Sequence, residues 1–340
     1  MTYKTFFRYR SIWMFFAIFV VVLYHQEADS ANSFIRFFLY YGYFGVDIFL
    51  FASGLGCYFS YKKNGYAQFI RRRAMRILPV YLPFILVWCA VKLMRNEISA
   101  LSAVANLFSL QLLIDRNESF NWYINAMWIL YFLTPVFCAV ADRIKKKSTA
   151  LLLTIVLILV TLPILTMNIG TDTHLLIARF PVFFLGICFS KLSTESEKLP
   201  WHTIAAFFAC IPIGVFLLIY CSINCPLYLK EYGVYWYPFV FVAPAVCMLI
   251  SLICSAIEKI SAGKYLVKLF DRLGSYSFEI YLIHFSAIEI TKKYIGMNYP
   301  GQIKPILLCT AIIAAGVLVI NFAKNLVNRA ITALEKSAAI

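Results

Sequence analysis

Two polar side chains capable of acid–base chemistry interrupt the apolar segments near the start of the chain. His25 ends the run from Ile12 to Tyr24, and Asp47 stands near the start of the next run, after Gly45. An imidazole can accept and return a proton near neutral pH, and a carboxylate beside it can fix its tautomer and raise its basicity. The two residues predict a general base, His25, supported by Asp47. The alternative is that His25 only ends a short helix and Asp47 only begins one.

A cluster of arginines follows the second apolar run. Arg71, Arg72, Arg73 and Arg76 stand just before Pro79. Guanidinium groups within one helical turn suit bidentate contacts with phosphate, so this surface could bind a nucleotide-type molecule from the cytosol. The alternative is that the cluster only anchors a membrane helix on its cytoplasmic side.

The composition shows which elements must position these residues. The chain has 340 residues, of which 62% are hydrophobic and 14% charged, whereas soluble domains average about 25% charged residues. Too few charges remain to cover a water-soluble globule, and a disordered chain is excluded for the same reason. The sequence therefore predicts a polytopic membrane protein.

Ten apolar segments of this protein could cross a bilayer as helices. They are continuous apolar runs without the alternating pattern of barrel strands, so the prediction is an all-α helix bundle. The segments are Ile12 to Tyr24, Gly42 to Tyr61, Ile77 to Val91, Trp122 to Val140, Ala150 to Met167, Leu175 to Phe189, Trp201 to Cys221, Tyr235 to Ile257, Leu273 to Ile290 and Ile306 to Phe322.

The basic residues orient these segments. With the N-terminus in the cytoplasm, 22 of the 31 Lys and Arg residues fall on the cytoplasmic side and eight on the outer side. Cytoplasmic loops of membrane proteins carry this excess, so both termini are expected in the cytoplasm. The formal net charge of +15 is thus mostly a topology signal, and nucleic-acid binding is not expected. The first segment, preceded by Lys4, Arg8 and Arg10, also fits a cleaved signal peptide.

The position of His25 along its helix predicts a cavity. His25 lies 15 residues after Arg10, or about 22 Å, which is short of a hydrocarbon layer about 30 Å thick. Polar residues such as Glu27 and Asp29 follow it. Polar groups at membrane depth usually line a wet cavity, and this one is expected to open toward the outer side.

Two further polar residues stand inside apolar runs. Arg179 and His284 could line a substrate site; alternatively Arg179 extends toward the interface and His284 is a satisfied interior histidine. Most of the ten cysteines lie within the runs, and Cys221 and Cys225 could form a disulfide at the outer surface. No spacing of Cys and His suggests a metal site. Since no linker rich in Ser, Gly or Pro divides the chain, we expect one domain over residues 1–340 without an appended soluble domain.

The order of these motifs along the chain resembles the acyltransferase family 3 of integral membrane acyltransferases. The resemblance is carried by His25 and by several short strings along nearly the whole chain. These strings are Gly45-Val46-Asp47-Ile48-Phe49 with Ser53-Gly54, Arg73-Ala74-Met75-Arg76-Ile77-Leu78-Pro79, Trp122-Tyr123-Ile124, and Ser277-Phe278-Glu279-Ile280-Tyr281-Leu282-Ile283-His284.

The resemblance implies roles for several residues. His25 matches the family's catalytic histidine, and Arg73 and Arg76, joined here by Arg72, match the positions that handle the CoA donor. Trp122, Tyr123 and His284 match recurrent positions that are structural or line the substrate. The family usually has Arg or Lys eleven residues before the histidine, where this chain has Met14; Arg10, one turn nearer the cytoplasm, could take its place.

The resemblance also implies a function. Members have about ten helices and transfer an acyl group from cytosolic acyl-CoA to a hydroxyl of an envelope or secreted carbohydrate. We therefore expect an O-acyltransferase of the cell (plasma or inner) membrane that uses acyl-CoA, in the first place acetyl-CoA, as donor substrate and holds no permanently bound cofactor. The alternative is a transporter or exporter of lipid-linked sugar or polysaccharide. The acceptor, the acyl group, a covalent acyl-histidine intermediate and the oligomeric state stay open.

Overall fold

A computed structural model describes residues 1–26, 32, 36, 39–114, 120–167, 169–225, 234–295 and 304–337 of the chain. These residues form helices, and the described part contains no strand beyond an isolated bridge between Thr2 and Lys198. The all-α prediction is therefore confirmed. The α-helices are α1 (Tyr3–Arg8), α2 (Arg10–His25), α3 (Gly45–Met94), α4 (Ala100–Leu107), α5 (Gln111–Ile114), α6 (Trp122–Asp142), α7 (Lys147–Thr161), α8 (Thr171–Ile177), α9 (Phe180–Ser193), α10 (Trp201–Asn224), α11 (Phe239–Ile257), α12 (Ser261–Ser275), α13 (Ser277–Ile295) and α14 (Lys304–Ser337).

Six helical segments of the described chain are long and apolar enough to cross a membrane, and two shorter apolar helices, α2 and α7, accompany them. Each of the ten predicted segments overlaps a helix, but the count of ten spans and the cytoplasmic termini stay predictions. The six segments are Gly42–Met94, Trp122–Asp142, Thr171–Ser193, Trp201–Asn224, Val234–Ile257 and Lys304–Ala333.

Helix α3 joins two predicted segments through a reversal at Gly65. This glycine has φ +72°, a left-handed conformation that residues with a Cβ rarely adopt. After it the chain returns along itself, so that the Phe69 and Tyr61 rings lie 6.1 Å apart and Arg73 Nη2 donates to Gly56 O at 2.8 Å. The reversal brings the arginine cluster back against the first half of the helix.

Two of the predicted segments break or begin at places that bear on the site. The segment from Leu175 to Phe189 is broken between α8 and α9 at Arg179, and Pro181 stands in the first turn of α9. Proline is favoured there because the first helical N–H groups need no partner within the helix. The segment predicted to start at Leu273 instead begins with α13 at Ser277, because Leu273 still belongs to α12.

Close helix crossings surround the centre of the bundle. A Cβ on Gly54 of α3 would lie 2.2 Å from Phe183 O, and one on Gly186 of α9 would lie 2.4 Å from Phe51 O. The missing side chains let the two backbones touch, as small residues do between membrane helices. The apolar window of Thr171–Ser193 is accordingly 78% buried, against 11% for Trp201–Asn224. Helix α9 is central, and α10 is peripheral.

Candidate active site

His25 meets a second histidine at the end of α2. Its ring lies 5.3 Å, centroid to centroid, from the ring of His284 on α13, and 4.4 Å from that of Phe285. His284 is fully buried. Both histidines were candidates from the sequence, and the packing of α13 against α2 brings them together. Glu27 and Asp29, which were expected beside them, lie outside the described residues.

The hydrogen bonding of His284 fixes its tautomer. Nδ1 lies within hydrogen-bond distance of the carbonyl oxygen of Tyr281, and because a carbonyl only accepts, Nδ1 carries the hydrogen. Nε2 is buried without a hydrogen-bond partner among the residues described. Protonating Nε2 would bury an unbalanced charge. The ring beside His25 is therefore neutral, and its Nε2 can accept a hydrogen bond.

A narrow cavity lies beside the arginine cluster, in the neighbourhood of this pair. Its volume is about 60 Å³. Arg10, Arg73 and Arg76 line one part of it, and Tyr281 lies in its wall. The Tyr281 ring is 5.6 Å from that of His284, so one residue of the cavity wall contacts the histidine pair. The remaining lining residues are Met14, Phe49, Ser53, Ile77, Tyr123, Ile124, Met127, Tyr131, Ser277 and Phe278.

The structure divides the predicted donor arginines between two surfaces. Arg72 lies in an open groove of about 430 Å³ with Gln68, Arg71, Met75 and Arg76. Arg73 lies inside the narrow cavity, and Arg76 lines both the groove and the cavity. The cluster thus lies on both an open basic groove and a narrow basic cavity.

Arg73 is held by three groups. Its Nη2 donates to Gly56 O at 2.8 Å, and its guanidinium lies 5.1 Å from the Phe69 ring centroid and 5.4 Å from that of Tyr131. A cation this close to two aromatic faces is stabilised by their quadrupoles. These contacts fix the guanidinium in the cavity wall.

Arg10 approaches the same glycine. A Cβ on Gly56 would lie 2.8 Å from Arg10 Nη1, so a side chain at this position would displace the guanidinium. Met14, one turn further along α2, lines the same cavity. With Arg73 and Arg76, Arg10 makes three arginines in the cavity wall. From the sequence, Arg10 was expected only as a replacement for the basic residue missing at Met14.

Asp47 has Arg179 as its ion-pair partner. Arg179 Nε lies 3.7 Å from Asp47 Oδ1, and both side chains are about 1% exposed. The Arg179 guanidinium lies 5.3 Å from the Trp122 ring centroid and 5.0 Å from that of Trp236, and Arg179 Nη1 donates to Leu175 O at 3.1 Å. The break between α8 and α9 thus directs Arg179 inward instead of toward the interface. Three sequence candidates, Asp47, Trp122 and Arg179, meet here, and Trp236 was not predicted.

Asn121 and Tyr281 also escaped the sequence reasoning. Asn121 precedes α6 and is fully buried, and its Nδ2 donates to Tyr81 Oη at 3.0 Å and to Asn106 Oδ1 at 2.9 Å. These bonds fix the start of the helix that carries Trp122 and Tyr123. Tyr281 Oη donates to Phe120 O at 3.0 Å. Tyr281 lies three residues before His284, and this spacing places both on one helix face. The spacing could have identified Tyr281 from the sequence.

The sequence had also raised a disulfide and the question of a metal site. Cys221 and Cys225 are free thiols, so no disulfide joins them. Among the described residues no group of three His, Cys, Asp or Glu side chains could hold a metal ion.

Most of the chain matches the model of one protein family. A family model described as an acyltransferase domain, that of acyltransferase family 3, matches residues 14–321. The match includes His25, the arginine cluster from Arg71 to Arg76, and His284. No curated protein and no solved structure matches the chain.

Proposed function

Because the chain belongs to acyltransferase family 3, we propose that this membrane acyltransferase moves an acyl group, in the first place acetyl, from cytosolic acyl-CoA to a carbohydrate hydroxyl. The acceptor would lie on the outer side of the cell (plasma or inner) membrane. The observation that carries the proposal is the cavity lined by Arg10, Arg73 and Arg76, in whose wall Tyr281 contacts His284 of the histidine pair.

The two basic surfaces fit the two parts of CoA. The phosphorylated nucleotide is bulky and anionic, which suits the open groove with Arg71, Arg72 and Arg76. Arginine is well adapted to phosphate because its planar fork of N–H groups matches the phosphate oxygens. The pantetheine arm is long and thin, which suits the narrow cavity. Arg76 lines both surfaces and would contact the phosphates where the arm enters.

The length of α2 sets the distance that the acyl group must cover. Arg10 and His25 are separated by 15 residues of one helix, which is about 22 Å at the usual rise. A donor that keeps its phosphates at the arginines therefore needs an extended arm to present its thioester near His25. An acceptor on the outer side would reach the same point from the end of α2.

His25 would act as the general base. It takes the proton of the acceptor hydroxyl while the hydroxyl oxygen bonds to the thioester carbonyl carbon. The carbon–sulfur bond then breaks, and His25 returns the proton to the leaving CoA sulfur, so that the products are an ester and CoA thiol. Such proton transfer typically contributes about 10²- to 10⁴-fold to the rate. His284, held by Tyr281, would position the His25 ring.

The alternative from the sequence, an exporter of lipid-linked sugar, needs no donor site. Family membership and the three-arginine cavity both support acyl transfer over that alternative.

The proposal can be tested in membrane vesicles that expose the cytoplasmic face to labelled acetyl-CoA. The readout is base-labile label on carbohydrate. We expect His25→Ala to abolish incorporation at a normal protein level. His202→Ala is the matched control, because His202 is exposed at the start of α10 and does not line the three-arginine cavity. Equal incorporation by the two variants would refute the role of His25.

A second measurement addresses the donor site. Arg73→Ala combined with Arg76→Ala should weaken binding of a labelled, non-transferable CoA analogue to the purified protein, while His25→Ala should leave that binding intact. If the double variant binds the analogue as well as the unmodified chain does, the donor assignment fails.

A further inference from the structure

A large groove lies between the second half of α3, α13 and α14, away from the cavity described above. Its volume is about 710 Å³, within the range of typical ligand sites, which is about 300–1,000 Å³. Most of its walls are aliphatic or aromatic. They include Phe84, Val87, Ile283, Ile290, Val319 and Ile320.

One end of the groove is basic and aromatic. Lys92, Arg95 and Lys293 line it together with one carboxylate, Glu289. Lys92 Nζ lies 3.3 Å from Glu289 Oε1 and also bonds to Glu97, and Arg95 Nη1 lies 3.8 Å from Glu97 Oε1. Among the described residues, the three cations at this end pair with only two carboxylates, Glu97 and Glu289, so the end carries a net positive charge.

Two aromatic residues mark the depth of this end in the membrane. Trp88 and Tyr294 line the groove beside the charges, and Lys92 Nζ lies 5.9 Å from the Trp88 ring centroid. Trp and Tyr concentrate at the level of lipid headgroups. The charged end therefore lies at an interface, and the apolar part of the groove runs into the hydrocarbon layer.

We propose that this groove binds an anionic phospholipid of the surrounding bilayer. One acyl chain lies along Val87, Ile283 and Val319, and the phosphate contacts Arg95 and Lys293. The charge complementarity selects this occupant, because an apolar partner helix or a second copy of the chain would leave the cations at the end of the groove without an anion. Guanidinium and ammonium groups bind a lipid phosphate through the same charge-assisted hydrogen bonds that they make with other phosphates.

The groove and the histidine pair share α13. Ile283 lies in the groove wall, and the ring of the next residue, His284, lies 5.3 Å from that of His25. A bound lipid would support the helix that holds His284. The inference nevertheless does not rest on the proposed reaction, since lipid binding can be measured without a donor or an acceptor.

The headgroup is tested by native mass spectrometry of the full chain in detergent with equal amounts of phosphatidylglycerol and phosphatidylcholine. We expect the unmodified chain to retain phosphatidylglycerol preferentially. Arg95→Gln combined with Lys293→Gln should reduce that preference by about fivefold for each charge removed. The control pair is Lys264→Gln with Lys304→Gln, which removes two exposed charges outside the groove and should keep the preference.

The acyl chain is tested by filling the groove. Val87 is 65% exposed and lines it, whereas its neighbour Leu86 is 55% exposed and does not. Val87→Trp should reduce retention of both lipids, and Leu86→Trp should not. Equal retention by these two variants, no headgroup preference in the unmodified chain, or a dimer that Val87→Trp dissociates would each overturn the proposal.

Discussion

Arg179 and Asp47 form a buried ion pair in which Nε lies 3.7 Å from Oδ1 and both side chains are about 1% exposed. The rings of Trp122 and Trp236 lie near the guanidinium, so neither charge can be rehydrated without opening the bundle. The pair joins the start of α3 to the break between α8 and α9.

Replacing one partner of this ion pair should destabilise the protein more than replacing both. Asp47→Asn leaves the Arg179 charge buried without its partner, which costs about 3–5 kcal/mol in comparable buried pairs. Adding Arg179→Met to Asp47→Asn should recover much of that loss. Thermal unfolding in detergent measures Asp47→Asn, Arg179→Met and the double variant. A double variant that loses as much stability as the two single variants together would contradict a direct coupling.

Arg10 should contribute to donor binding. Arg10→Gln removes one of the three cations that line the narrow cavity, and losing a hydrogen bond to a charged group costs about 1.5–3 kcal/mol. The KM for acyl-CoA should therefore rise by roughly tenfold or more. The control is Arg8→Gln, since the Arg8 side chain is 64% exposed and pairs with Glu258. Equal KM values for the two variants would exclude Arg10 from the donor site.

A second change tests the place of Met14. Met14 lines the same cavity one turn above Arg10, so Met14→Arg in the Arg10→Gln background should restore part of the donor affinity. No recovery, at an unchanged protein level, would show that the two positions are not interchangeable.

His284 should affect turnover and not donor affinity. His284→Asn can still donate to Tyr281 O but lacks an acceptor in the place of Nε2, and we expect kcat to fall by about 10- to 100-fold with an unchanged KM for acyl-CoA. His284→Gln offers an acceptor near the Nε2 position and should retain more activity than His284→Asn. If both variants changed KM and kcat alike, the role of His284 would be structural.

Two glycines in one helix should respond differently to alanine. A Cβ on Gly54 would lie 2.2 Å from the backbone oxygen of Phe183, whereas the nearest atoms to one on Gly56 belong to the guanidinium of Arg10, at 2.8 Å. Gly54→Ala should lower the free energy of unfolding by about 1–3 kcal/mol through overpacking. Gly56→Ala should fold and instead raise the KM for acyl-CoA, because Arg10 must move. The reverse order of stabilities in a thermal unfolding assay would contradict these contacts.

The sequence by itself determined the class of protein and the segments that build it. Long apolar runs need no partner to be recognised, because the bilayer forces each of them to satisfy its own backbone hydrogen bonds as a helix. The family could also be identified from short strings in order along the chain, and the family model confirms it. Pairs on one helix, such as Arg73 and Arg76 or Tyr281 and His284, are brought onto neighbouring positions by the helical repeat alone.

The tertiary structure decided which of these residues meet. His25 contacts His284, Asp47 pairs with Arg179, and Arg10 approaches Arg73 across Gly56. These contacts depend on how α2, α3, α9 and α13 cross, and the crossings depend on where glycine lets two backbones touch. The reversal at Gly65 and the break at Arg179 add to this, because they turn arginines inward that the hydropathy pattern would place at an interface. Side-chain type and spacing could predict which polar residues belong to the site. Their contact partners depend on the packing of helices that are distant in the sequence.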